Sequence, residues 1–167
     1  MLCYTPLHYL LFSRDLSEGR TLSSLIMTSG NIADEPIEID NNTAAKNLSG
    51  ICDYLLSHNR NIYNRSDDSI VQVIDGKPVL LRRSRGYAPF PFLSKTALKP
   101  TLACGAELKS TFCLAKKNSF FLSQFIGDLK SYAAYRFYRE AVTRQEKIFS
   151  VKPGIICHDL HPEYLST

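Results

Sequence analysis

The chain has 167 residues, 44% of them hydrophobic, which is enough for a buried core and too many for a disordered segment. Its net charge of +4 is mild: residues 1–99 carry 11 basic and 10 acidic side chains and residues 100–167 carry 9 and 6, so neither part is a polybasic nucleic-acid arm. No apolar run approaches the length of a membrane span, and Met1 is followed by no basic region plus apolar core, so no secretory signal is expected.

In chain order, Thr5 and Pro6 read as the cap and first position of a helix within residues 1–16, with Leu7, Leu10 and Leu11 on one face. Leu25–Thr28 reads as a short strand. Asp40 or Asn41 caps a helix over about residues 42–49, ended by Gly50, and Ile51–Ser57 reads as another strand. Ser69–Asp75 alternates, and Asp75-Gly76 is a hairpin turn before a second strand over Pro78–Arg82. Tyr87–Phe92 holds Pro89 and Pro91, so residues 88–99 are read as an extended linker. Thr101–Cys104 and Ser110–Ala115 then read as strands, with Lys116-Lys117-Asn118 as a turn into Phe120–Ser123, a β-meander. Residues 132–149 carry the strongest helical pattern, with Ala134, Phe137, Tyr138, Ala141, Val142, Ile148 and Phe149 on one side. Gly154 closes that region and Gly154–His158 enters a strand. The class expected is mixed α/β.

Chemistry concentrates in three places. Met27–Pro36 runs from an apolar strand into a turn crowded with Ser29, Gly30 and Asn31, where backbone N–H groups and short side chains can face an anion. Downstream come Asp67-Asp68-Ser69 and then the planar, many-donor cluster Arg82, Arg83 and Arg85. Together they read as half of a pocket for a phosphate or acyl-phosphate ligand. Each has a plainer reading: Ser-Gly-Asn is a common tight turn, Asp67-Asp68 a capping or solvated pair, and the arginines a charged strand edge. On a strand Arg83 points away from Arg82, so the two are not expected to serve one pocket. His158 and His161 have no evident third ligand and give no metal site. Tyr132, Tyr135 and Tyr138 read as packing. The five cysteines, Cys3, Cys52, Cys104, Cys113 and Cys157, form no Cys-x-x-Cys pair and read as reduced, mostly buried thiols of a cytoplasmic protein.

The motifs, in order, resemble those of the HypF-type hydrogenase maturation carbamoyltransferases. The resemblance rests on Tyr4–His8, Thr28–Asn31 with Glu35-Pro36, His58–Arg60, Asn64–Ser69 and Arg82–Pro89. It continues through Gly105–Lys109, Gly127–Leu129 and Asp159–Tyr164, so it covers essentially the whole chain. Where the family carries a histidine before its Ile-Gly-Asp, this chain carries Phe125. The resemblance implies a YrdC-like α/β domain that makes carbamoyl-adenylate from carbamoyl phosphate and ATP. It implies a second, actin/sugar-kinase-like ATPase domain that passes the carbamoyl group to the C-terminal cysteine of the partner HypE. Residues 1–95 would be the C-terminal half of the first domain, a partial twisted sheet, and residues 100–167 the opening of the second. The acylphosphatase-like domain, the zinc segment and the later metal motif would lie outside this chain, which is expected to be inactive alone.

For the site, the resemblance implies Ser29, Asn31 and Arg82 as catalytic positions, Ser69 as a hydroxyl facing the phosphate, Arg65, Arg83 and Arg85 as secondary candidates for phosphate or carbamoyl contact, and Mg²⁺ accompanying ATP. Charge builds on phosphoryl oxygens in such a reaction, so positioning and positive electrostatics matter more than a covalent nucleophile. Two other readings stand beside it: a non-catalytic YrdC-like module that binds RNA, and a relative of the O-carbamoyltransferases or tRNA threonylcarbamoyl enzymes. A half-domain is also expected to expose core surface and a sheet edge.

Overall fold

The computed structural model describes residues 3, 5–13 and 22–167. Helix α1 (Pro6–Leu11) starts as its residues dictate: the Thr5 hydroxyl accepts from the His8 backbone N–H at 3.4 Å, and Pro6 occupies the first turn. It makes no buried leucine stripe, for Leu7 and Leu10 are exposed and His8 is the buried residue. Met1, Leu2, Tyr4 and residues 14–16 of the expected helix lie outside the described residues. In α2 (Asn41–Leu48) the Asp40 carboxylate caps two backbone N–H groups, of Asn42 and Thr43, both at 2.9 Å. Gly50 follows without a left-handed φ, so it does not act as a glycine cap.

The strands expected at Leu25–Thr28 and Ile51–Ser57 do not form among the described residues, and Ile26 and Tyr54 stand 99% and 94% exposed. A strand exists by its neighbour's hydrogen bonds, and these segments have no described neighbour. The hairpin of β1 (Ile70–Ile74) and β2 (Lys77–Arg82) does form, with Ile74 opposite Lys77. Asp75 (φ 50°) and Gly76 (φ 72°) both take the positive φ that a tight two-residue hairpin needs.

The linker expected over residues 88–99 is in its second part the start of β3 (Phe92–Ala103). This strand pairs antiparallel with β4 (Cys113–Leu122), which runs straight through the Lys116–Asn118 segment expected to turn. Lys117 absorbs the irregularity as a bulge, with φ 54° opposite register shifts on β3. The two short strands expected at Ser110–Ala115 and Phe120–Ser123 are therefore replaced by one. Helix α3 (Tyr132–Phe149) follows, capped by the Ser131 hydroxyl and ended by Ser150 in the left-handed region, ahead of the expected Gly154. The chain returns as β5 (Ile155–Cys157), parallel to β3 on the edge away from β4, giving the order β4-β3-β5.

The core lies between this sheet and α3: Phe112, Leu114, Ile126, Leu129, Phe137, Tyr138, Ala141 and Val151. Ile148, expected on the buried face, is exposed, whereas the polar Gln145 is buried. Phe112 and Tyr138 meet edge to face at 5.5 Å, and the Tyr138 hydroxyl donates to the Cys104 carbonyl at 2.8 Å. All buried apolar residues among those described fall between Cys104 and Val151. Of the thiols, Cys104 is buried, Cys3 and Cys113 are half-buried, and Cys52 and Cys157 are exposed, so the mostly buried set expected is not found. Burial pushes the Cys113 thiol pKa up. No described helix is long and apolar enough to cross a membrane.

Candidate functional site

The segment carrying the β1–β2 hairpin is fastened to the core by a short polar seam. The buried Gln124 donates to the Asn64 side chain and to the Arg65 carbonyl, both at 3.2 Å, and accepts from Gln145 at 3.3 Å. The Phe125 backbone N–H donates to the Arg83 carbonyl at 2.9 Å. This seam brings the end of β2 over residues 125–128.

A cavity of about 300 Å³ opens there. Ser29, Asn31, Asp34 and Glu35 line it from the first turn, Asp67 and Arg82 from the hairpin segment, and Lys109, Phe125, Gly127 and Asp128 from the segments flanking β4. The Asn31 amide N–H group donates to the carbonyls of Ile32 (2.9 Å) and Glu35 (2.8 Å), which shapes the turn. Its oxygen and the Ser29 hydroxyl accept or donate no hydrogen bond among the described residues. The left-handed residue of this turn is Asp34 (φ 63°), not Gly30; a Cβ on Gly30 would make only an ordinary contact at 3.9 Å. The close backbone approach expected of that glycine is thus not what the turn uses.

Arg82 lays its guanidinium over the Phe125 ring, 4.7 Å from the centroid, and makes no ion pair within 4 Å among the described residues. Lys109 likewise has no ion-pair partner among them. Its backbone N–H donates to Asp128 at 2.7 Å, which holds its φ at 49° and sets the side chain on the cavity wall. Asp67 is half-buried. Desolvation raises its carboxyl pKa, with Asp68 adding to the rise and Arg82 and Arg85 opposing it.

The other arginines and Ser69 go elsewhere. The Ser69 hydroxyl accepts from the Ser84 backbone N–H (2.9 Å) and donates to the Arg85 carbonyl (2.8 Å), so it latches the hairpin ends and does not line the cavity. Arg85 donates to the Ser66 carbonyl and pairs with Asp68 at 3.7 Å. Arg65 packs over Phe137 at 5.7 Å and lines a neighbouring 210 Å³ cavity with Glu35 and Glu38. Arg83 stays out of the Ser29 cavity but meets Arg82 in an adjoining one of about 380 Å³, beside Lys109 and Phe125. Its guanidinium donates to the Phe90 carbonyl and sits over Phe92 at 4.9 Å, and burial lowers its pKa.

Lys109, Phe125 and Asp128 are not residues that the sequence marks as ligand-facing, whereas Asp67 stands in the Asp67-Asp68-Ser69 stretch that it does single out. Each lies in a motif visible in the sequence, yet only long-range contacts carry it to Arg82. The rings of His158 and His161 engage the local backbone, and His161 stacks on Tyr164 at 4.2 Å.

Two family profiles match the chain. One described as "Telomere recombination", for the Sua5/YciO/YrdC family, covers residues 1–84, and one described as "HypF Kae1-like domain" covers residues 96–167. The carbamoyltransferase HypF of Synechocystis sp. is 43% identical over 99% of this chain and 21% of its own length. That of Rhizobium leguminosarum bv. viciae is 40% identical over 99% of this chain and 22% of its own. A crystal structure of full-length HypF in a phosphate- and nucleotide-bound form superposes with a TM-score of 0.89 at 43% identity, covering 100% of this chain and 26% of that one. The chain thus spans about a fifth of the length of the curated relatives it matches.

Proposed function

Since this chain belongs to the HypF carbamoyltransferase family, we propose that it supplies part of a carbamoyl-transfer site, with the Ser29–Arg82 cavity holding a phosphate-bearing carbamoyl donor. The observation that carries this is the convergence of Ser29, Asn31 and Arg82, far apart in sequence, on one cavity that also receives Lys109. Arg82 and Lys109, which form no ion pair within 4 Å among the described residues, together with a hydroxyl and an amide oxygen, suit a small anion with a polar carbamoyl end. A volume of about 300 Å³ lies at the small end of ligand pockets, enough for carbamoyl phosphate and tight for a whole nucleotide.

In the proposed reaction carbamoyl phosphate, ATP and one water yield carbamoyl-adenylate, inorganic phosphate and pyrophosphate. Water would take the phosphoryl group of carbamoyl phosphate, releasing inorganic phosphate and carbamate, and the carbamate oxygen would then bond to the α-phosphorus of ATP as that phosphorus loses its bond to pyrophosphate. Arg82 and Lys109 would offset charge on the phosphoryl oxygens, and Ser29 and Asn31 would orient the carbamoyl group. Asp34, Glu35, Asp67 and Asp128 are the carboxylates that share the wall with those cations. No three metal-binding side chains converge among the described residues, so Mg²⁺ would arrive on ATP phosphates with one or two of these carboxylates. Transfer to the C-terminal cysteine of HypE, in hydrogenase maturation, belongs to the same proposal and would need the remainder of a longer protein. So does a cytoplasmic location, which suits five unpaired thiols.

The test is calorimetric titration of the 167-residue chain with carbamoyl phosphate, alongside ATP–pyrophosphate exchange. Binding is expected, weakened about 10- to 100-fold in Arg82→Gln, as for loss of a charged hydrogen bond of roughly 1.5–3 kcal/mol. Exchange by the isolated chain is expected to be absent. No binding, or equal binding by Arg82→Gln, would overturn the site; robust exchange would overturn the inactivity of the part.

A further inference from the structure

The outward face of α3 carries a second concentration of positive charge, away from the Ser29 cavity. Arg136, Arg139, Arg144 and Lys147 fall at spacings of three, five and three residues along the helix, with Glu140 between them. With Tyr63, contributed from the far side of the seam, they line a shallow groove of about 520 Å³. Four cations face one carboxylate. Glu140 is already shared, at 3.6 Å with Arg136 and 3.4 Å with Arg144. Arg139 and Lys147 are exposed and have no ion-pair partner among the described residues.

A run of exposed charge on a helix is ordinarily just its solvated face. Two features separate this one. The groove is concave because Tyr63 walls it, its ring lying under the Arg144 guanidinium at 5.5 Å. Arg144 is also only 22% exposed, and its Nη1 is buried without a hydrogen-bond partner. The guanidinium already gives Nη2 to Glu140 at 3.4 Å, so an oxyanion in the groove would meet Arg144 as a partly desolvated charge, with the partnerless Nη1 as the donor that a small shift of the side chain frees. At a rise of about 1.5 Å per residue, the stretch from Arg139 to Lys147 spans roughly 12 Å, longer than one phosphate and suited to several in a row.

We infer that this groove is a binding site for a multiply charged phosphoryl anion, a di- or triphosphate, free or carried on a nucleotide. Arg144 takes one phosphoryl group at the buried end, and Arg139 and Lys147 neutralise its neighbours. Occupancy of this groove is independent of what the Ser29 cavity binds.

The experiment titrates the full chain with inorganic phosphate, tripolyphosphate and ATP at fixed ionic strength, by calorimetry and by NMR of the Tyr63 ring and the Arg144 Nε–H. Tripolyphosphate is expected to bind at least tenfold more tightly than phosphate and to shift the signals of Tyr63 and Arg144. The exposed double variant Arg139→Gln/Lys147→Gln should lose at least tenfold, and Arg144→Lys, which keeps the charge but not the fork, at least threefold. Lys95→Gln, an exposed lysine outside both cavities, should change this binding less than twofold. ATP binding with the same sensitivity to the double variant would identify a nucleotide-borne source; tripolyphosphate binding without ATP binding would identify the free anion. No tripolyphosphate binding, binding indifferent to the double variant, or binding no tighter than that of inorganic phosphate would overturn the site.

Discussion

Phe125 stands where the resemblance leads one to expect a histidine, and its ring carries the Arg82 guanidinium on the cavity wall. A cation over an aromatic face contributes about 0.5–2 kcal/mol. Phe125→Leu is therefore expected to weaken carbamoyl phosphate binding about 3- to 30-fold, whereas Phe125→Tyr should stay within about threefold. Calorimetry on both variants checks this. Asp67 gives a pH-dependent expectation. Its folded pKa is raised chiefly by desolvation, so between its ordinary value and the raised one the folded state holds more proton than the unfolded state. Stability from this group is present below the unfolded pKa and is lost as pH rises through the folded one. Asp67→Asn should remove that fall and leave the variant at least as stable as the parent at pH 7. Chemical denaturation from pH 3 to pH 7 reads it, and a variant that is less stable at pH 7 would show that Arg82 and Arg85 outweigh desolvation.

Elements that rest on local rules form where they are expected. The Asp40 cap, the Asp75-Gly76 turn and the apolar stripe of α3 each involve neighbours within one turn or one hairpin. Elements that need a distant partner form only where one is met: the strand expected at Gly154–His158 does so as β5 against β3, Leu25–Thr28 and Ile51–Ser57 have none among the described residues, and β4 runs on through Lys117 because β3 pairs with both of its halves. The turn from β3 to β4 depends on Gly105. Its φ is +71°, and a Cβ there would lie 2.0 Å from the Thr111 carbonyl oxygen. Gly105→Ala is expected to cost about 2–3 kcal/mol or more, through left-handed strain and displacement of backbone. Leu114, fully buried in the same sheet, should cost about 2–5 kcal/mol as Leu114→Ala. Urea denaturation of the two variants measures both, and losses under about 1 kcal/mol would mean that the sheet repacks around them.

Across the whole molecule the buried apolar residues gather in the second part, while the first shows apolar side chains to solvent. Ile26, Leu56, Val73 and Leu93 are 99%, 74%, 71% and 80% exposed. Such an expanse of apolar surface marks a face built for contact. The first part is therefore expected to open more readily than the second. Limited proteolysis should cut first within residues 22–92 and leave a resistant piece containing residues 104–157, and the chain should bind a hydrophobic dye before any thermal transition. Cuts appearing first in α3, or no dye binding, would contradict this.

Residue types and their order carried the family, the mixed α/β class, the capped helices and the hairpin, because each follows from short-range chemistry or an ordered set of motifs; they also pointed to Ser29, Asn31 and Arg82, which line one cavity. Which groups stand with that trio was settled by chain packing. Gln124 stitches two distant segments together and so brings Lys109 and Phe125 to Arg82. Ser69 and Arg85 are meanwhile held as latches by hydrogen bonds to the adjoining backbone. Such through-space neighbours depend on where the whole chain comes to rest, and no local pattern encodes that position.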